Sequence, residues 1–90
     1  MNTKTPGFSI RADHGSSVGG RGFYITFPNG YTVSTQFGDF NYSDKDGSTA
    51  EIAVFDSNGN FVRLEGWDDD VKGHQNPQNF LDICRQVATL

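Results

Sequence analysis

Apolar and polar residues alternate through FYITFPNGYTVSTQFG, residues 23–38, on both sides of Pro28-Asn29-Gly30. That period of two is the signature of half-buried strands, here two joined by a tight turn. A loop of Asn29-Gly30 alone would set Phe27 against Thr32, Ile25 against Ser34 and Phe23 against Gln36, mixing apolar and polar on one face. A loop of Pro28-Asn29-Gly30 sets Phe27 against Tyr31, Ile25 against Val33 and Phe23 against Thr35, and one face becomes almost wholly apolar. A slip of one residue flips every side chain, so the consistent register should win. Pro28 presets φ at the first turn position, and Gly30 accepts φ > 0 without a Cβ clash.

Residues 50–64 repeat this logic around Ser57-Asn58-Gly59. Phe55 then pairs with Phe61, Val54 with Val62 and Ile52 with Leu64. One face carries Ile52, Val54, Val62 and Leu64, the other Ala53, Phe55, Phe61 and Arg63. Residues 7–10 form a candidate edge strand with Phe8 and Ile10 turned inward. Asn76 suits a helix N-cap and Pro77 the first helical position, where a missing N–H costs nothing. Phe80, Ile83, Cys84, Val87 and Ala88 then recur at helical spacing as one stripe.

The expected architecture is α+β: an antiparallel four-stranded meander of two hairpins, or five-stranded with the N-terminal segment, packed on one C-terminal helix. The helix should cover the face bearing Phe23, Ile25, Phe27, Tyr31, Val33, Ile52, Val54, Val62 and Leu64. The opposite face carries Tyr24, Thr26, Thr32, Ser34, Gln36, Phe55 and Phe61, and no second helix pattern is available for it. Residues 1–90 read as a single domain, with 1–6 frayed.

Composition narrows the partners. The net charge of −4 argues against general nucleic-acid binding, which needs a basic stripe. It leaves open an acidic protein that occupies another protein's basic surface. Eight Phe, three Tyr and one Trp supply large buried areas in a chain that is only 34% hydrophobic. Cys84 is the single cysteine, so no internal disulfide can form and a cytosolic, reducing compartment is expected. No stretch resembles a signal peptide or a membrane span.

Each chemical motif has a bland counterpart. The Gly/Ser-rich segment 11–22 suits a phosphate-approaching loop with Arg11 or Arg21 as the charge, or a connector. It matches neither the P-loop nor the dinucleotide fingerprint. His14 after Asp13 has no Ser or Cys placed to act with it, so an exposed loop histidine is the simpler account. Residues 39–49 read as a polar loop, and Asp44-Lys45-Asp46-Gly47 fails the calcium-loop test, because Tyr42 and Ala53 would hold its first and last ligand positions. Phe40 and Tyr42, flanking Asn41, either stack on a planar ligand or cap the core. Residues 65–75 read as a solvated acidic loop, since Asp68, Asp69 and Asp70 cannot converge on one cation from an extended chain. Trp67 is either a core lid or an exposed binding aromatic. Cys84 lies on the helix stripe as a small buried hydrophobe.

Phe27, Asn29-Gly30-Tyr31-Thr32-Val33-Ser34, Gln36-Phe37-Gly38, Asn41-Tyr42, Ala50-Glu51-Ile52-Ala53 and Asp69-Asp70-Val71-Lys72-Gly73 resemble a group of short bacteriophage and prophage proteins. The resemblance covers roughly residues 20–75. It implies a phage accessory protein, and such proteins often resemble anti-defence proteins. Some of these sequester host immune signalling nucleotides as oligomeric sponges, and others block a host nuclease complex.

Two functions are expected on these grounds. The first is a non-catalytic sponge for a signalling nucleotide. Phe40, Asn41 and Tyr42 would supply stacking and edge reading, and Arg21, Lys72 and His74 the counter-charge, near a boundary between copies of a homo-oligomer. The oligomer would bury Phe55 and Phe61. The second is a protein-binding inhibitor or structural phage component that uses Trp67 and Asp68, Asp69 and Asp70. An enzyme ranks third, because no nucleophile–base pair or ligand cluster passes the spacing tests. No cofactor or metal is expected.

Overall fold

Two Asn-Gly turns set the frame. At the first, the Phe27 amide donates to the Tyr31 carbonyl at 2.8 Å and the Gly30 amide to the Phe27 carbonyl at 2.9 Å. Gly30 has φ 92°, the left-handed value that a three-residue hairpin loop needs. At the second, the Asp56 amide donates to the Asn60 carbonyl at 2.9 Å and Gly59 takes φ 84°. The Asp56 carboxylate also accepts from the amides of Asn58 and Asn60, both at 2.9 Å.

The computed structural model describes residues 6–11, 21–37 and 48–90. Its strands are β1 (Gly7–Arg11), β2 (Arg21–Thr26), β3 (Thr32–Phe37), β4 (Ala50–Phe55) and β5 (Val71–Gln75), and its helix is α1 (Pro77–Ala88). The sheet runs in the order β1-β2-β3-β4-β5, each strand antiparallel to its neighbour. The α+β meander therefore stands, in its five-stranded form. The first hairpin has the expected register, with Ile25 opposite Val33 and Phe23 opposite Thr35. Arg11 and Arg21, read as part of a connector, lie in β1 and β2. A Cβ on Gly22 would overlap the Thr35 carbonyl oxygen, so this glycine lets β2 and β3 approach.

The second hairpin is shorter than expected. Phe55 meets Phe61, and the Val62 amide donates to the Val54 carbonyl at 2.8 Å. The chain then leaves β4 through a turn in which the Trp67 amide donates to the Leu64 carbonyl at 3.0 Å and Gly66 takes φ 87°. It returns as β5, so Ile52 faces Lys72 and not Leu64. Residues 61–64 are thus not a full strand, and part of the expected acidic loop 65–75 is one. Val71-Lys72-Gly73-His74-Gln75 has no apolar alternation, and backbone pairing with β4 sets its place in the sheet. Between the Ile52–Lys72 and Ala50–Gln75 pairs the register shifts, so Gly73 and His74 together oppose Glu51 in a bulge.

Helix α1 begins at a capping box. The Asn76 side chain accepts from the Asn79 amide at 2.8 Å, and the Asn79 side chain accepts from the Asn76 amide at 3.2 Å. Ile83 and Val87 bury against Val33, Ala50, Ile52, Val54 and Leu64. Phe80 and Cys84 flank that core, while Ala88, placed on the stripe by spacing, is exposed. The helix packs on β3 and β5, and Phe80 meets Phe23 edge to face at 6.0 Å. It does not spread over β1 and the outer part of β2. Ile25 is only partly buried, and Phe8, expected to tuck inward, is 80% exposed.

The opposite face is less open than its sequence suggests. Thr26, Thr32 and Ser34 are buried there, although among the described residues no second helix lies on the sheet. Their hydroxyls are used locally: Thr26 and Thr32 bond at 3.0 Å, and Ser34 accepts from the Gln36 side-chain amide at 3.0 Å.

One side chain joins the two layers. Asn29 accepts from the Tyr31 amide at 3.2 Å and donates to the Val87 carbonyl at 2.8 Å and the Leu90 carbonyl at 3.4 Å. It ties the first turn to the C-terminal end of α1, where the Val87 carbonyl also accepts from the Leu90 amide at 3.2 Å.

Both turns can be tested by substitution. Gly30→Val should cost about 1–3 kcal/mol from left-handed strain, and Asn29→Ala about 1–2 kcal/mol from the lost bonds; urea melts that show neither loss contradict this account of the first turn. At the second turn, the Asn60 backbone hydrogen bond, with help from the Asn58 and Gly59 amides, holds the Asp56 carboxyl below its ordinary pKa. A depressed folded-state pKa adds stability above the unfolded value and loses it as pH falls through the folded value. The stability difference between the parent and Asp56→Asn should therefore hold at neutral pH and fade from about pH 4 downward. A difference that does not change with pH in urea titrations would show that the charge has no part in it.

Candidate functional site

Antiparallel order sorts the chain into two poles. The first and second turns and the C-terminus of α1 share one pole, where a Cβ on Gly30 would meet the Ser57 side chain at 3.2 Å. The other pole gathers the end of β3, the start of β4, the end of β5 and the start of α1. There lies a hollow of about 150 Å³. Phe37, Ala50, Pro77 and Phe80 supply its apolar wall, and Ser48, Thr49, Gln75 and Asn76 its polar rim.

Each element places its share for a local reason. Phe37 ends β3 on the apolar row of Tyr31, Val33 and Thr35, so its ring projects toward the helix layer. Gln75 closes β5 opposite Ala50, and its side-chain amide donates to the Gly73 carbonyl at 2.9 Å. Phe80 opens the apolar stripe of α1. The first turn of α1 contains no acidic side chain, so no carboxylate of its own neutralises the positive end of its dipole beside the hollow. The described lining has aromatic surface, amides and hydroxyls but no titratable side chain, an arrangement suited to holding a planar group.

The expected site residues fall around this hollow unevenly. His74 precedes Gln75 and sits in the bulge at φ 52°, a non-glycine residue in the left-handed region. Such a conformation costs about 1 kcal/mol and turns an exposed side chain away from the regular pleat. Lys72 lies farther along β5, opposite Ile52. Arg21 opens β2 opposite Phe37 at the same pole. Three strand spacings, about 14 Å, separate its backbone from that of Gln75. The three cation positions therefore flank the hollow and do not converge on it within one chain. Phe40, Asn41 and Tyr42 lie outside the described residues, as does His14. The segments 12–20 and 38–47 both join described strands at this pole. Reading by sequence missed Phe37, Gln75 and Phe80. Phe37 and Phe80 were legible as the ends of their apolar rows, but Gln75 carried no signal.

Elsewhere, the Phe55 and Phe61 rings meet at a tilt of 39° with centroids 4.7 Å apart, so part of each is covered within the chain, and Phe61 stays 51% exposed. Trp67 packs against the core as a lid. Asp68 and Asp69 are exposed, while Asp70 pairs with Arg63 at 3.0 Å. Among the described residues, no group of three or more His, Cys, Asp or Glu could hold a metal ion, and no helix is long and apolar enough to cross a membrane. Burial pushes the Cys84 thiol above its ordinary pKa.

Comparison of the chain with protein-family models, curated proteins and solved structures finds no match.

A thiol held neutral by burial reacts slowly. Labelling of Cys84 by an aromatic disulfide at neutral pH should run at least about tenfold slower in the native protein than in urea. Equal rates would mean that the helix does not hold the thiol against the sheet.

Proposed function

We propose that this chain is a non-catalytic binding protein that sequesters a small anionic ligand with a planar ring, of the signalling-nucleotide class, as a phage-type anti-defence sponge. The observation that carries the reading is the aromatic-walled hollow at the pole where Arg21, His74 and the helix N-terminus also lie. A nucleotide needs stacking surface, an amide to read its edge and positive charge for phosphate. Phe37 and Phe80 offer the first and Gln75 the second. Arg21, Lys72 and His74 supply the third. The hollow, about 150 Å³, is small and open to solvent on one side. The phosphates of a bound nucleotide would reach outward toward the flanking cations, and Phe40, Asn41 and Tyr42 belong to a chain segment attached at this pole.

A second reading, a protein-binding inhibitor of a host defence complex or an accessory phage component, is favoured by the exposed carboxylates of Asp68 and Asp69 on a chain of net charge −4. An acidic surface of this kind suits a basic protein partner.

Calorimetry with cyclic di- and trinucleotides and cyclic ADP-ribose isomers separates the two. The parent should bind at least one more tightly than roughly 10 μM, about −7 kcal/mol. Arg21→Ala, Tyr42→Ala and Phe80→Leu should each weaken that binding about tenfold. No binding by the parent removes the sponge reading and leaves the protein-binding one.

A further inference from the structure

We propose that the outer edge of β1, unpaired among the described residues, is a self-association surface, and that a second copy of this chain occupies it by antiparallel β1–β1 pairing. This edge is separate from the hollow and does not rest on the ligand reading. Hydrogen-bond direction decides which of its groups face outward. Phe27 and Tyr31 form a hydrogen-bonded pair, so bonded pairs recur at Ile25–Val33 and Phe23–Thr35. The N–H and C=O groups of Thr26, Tyr24 and Gly22 must then point to β1, where they meet Gly7, Ser9 and Arg11. That leaves the backbone groups of Phe8 and Ile10 pointing out of the sheet.

These outward groups are self-complementary. A two-fold axis at Ser9 sets Phe8 of one copy against Ile10 of its partner, twice. Every outward N–H and C=O of the two residues is then paired, in four hydrogen bonds. The same pairing would cover an exposed ring. Phe8 lies opposite Ile25 on the part of the sheet that α1 leaves bare, and it is 80% exposed. Each Phe8 ring would come to lie alongside the partner's β1.

The sheet's other edge works against an open chain of copies. Its strand, β5, carries the bulge at Gly73 and His74 and the charge of Lys72, features that blunt an edge. One regular edge and one blunted edge give a closed pair and not a fibre. Two Phe8 rings and five-residue strands bury less than the roughly 1,200 Å² of a standard stable interface, so the dimer should depend on concentration.

Sedimentation velocity across a concentration series tests the idea, with amide-resolved hydrogen exchange beside it. The parent should pass from monomer to dimer, and Phe8→Lys should weaken the dimer at least about tenfold without changing the circular dichroism or the melting of the monomer. Phe55→Glu, which alters a different surface, should dimerise like the parent. The amides of Phe8 and Ile10 should gain protection with concentration, while those of Ser9 and Arg11 stay equally protected throughout. A monomer at every concentration overturns the proposal. So does a dimer that survives Phe8→Lys, one that is lost with Phe55→Glu, or exchange at Phe8 and Ile10 that ignores concentration.

Discussion

The side chain of Asn29 is the joint on which the two layers depend. Its oxygen accepts from Tyr31 and so shapes the turn, and its nitrogen donates to Val87 and so holds the end of the helix. A turn with Asn29 displaced by one position would shift the strand register and lose the helix contact together. The apolar contacts of Ile83 and Val87 with Val33, Ile52 and Val54 supply most of the cohesion, because burying apolar surface is the main force that drives folding. Those contacts have no direction of their own. The amide bonds of Asn29 provide one, by fixing which end of the helix meets which end of the sheet.

What was legible in the sequence was whatever local chemistry decides. Pro28-Asn29-Gly30 and Ser57-Asn58-Gly59 each announce a left-handed third position, and the alternation on either side of the first left a single apolar register. Asn76-Pro77 announces a helix start. β5 was not legible because it has one strongly apolar residue, a glycine and a bulge, and its pairing is a matter of backbone groups left open by β4. The lateral position of α1 was not legible either. An apolar stripe says that a helix packs, but not over which strands. Phe8 therefore read as a core residue and stands exposed, and Thr32 and Ser34 read as an open face and stand buried.

The candidate site shows the same division. Arg21 and His74 share one pole because antiparallel order brings the start of β2 and the end of β5 to the same end of the sheet. The hollow was invisible because its walls come from four separate elements. Phe37, Ala50, Gln75 and Phe80 become neighbours only after the sheet and helix close on each other. One buried group has no evident role there. Thr35 is 3% exposed, on the helix side of the sheet, and its buried hydroxyl finds no hydrogen-bond partner among the described residues, a local cost that the surrounding packing absorbs.

The order β1-β2-β3-β4-β5 has a consequence for how the chain reaches this state. Every strand neighbours its predecessor, so the sheet can grow by zippering outward from the first hairpin, and each added strand closes only a modest loop. The Asn29–Val87 bond breaks that pattern, since 58 positions separate its partners along the chain. It cannot form until the helix has travelled back along the whole sheet. The sheet therefore keeps one apolar face uncovered until the twelve residues of α1, last of the elements in chain order, fold back and close the core.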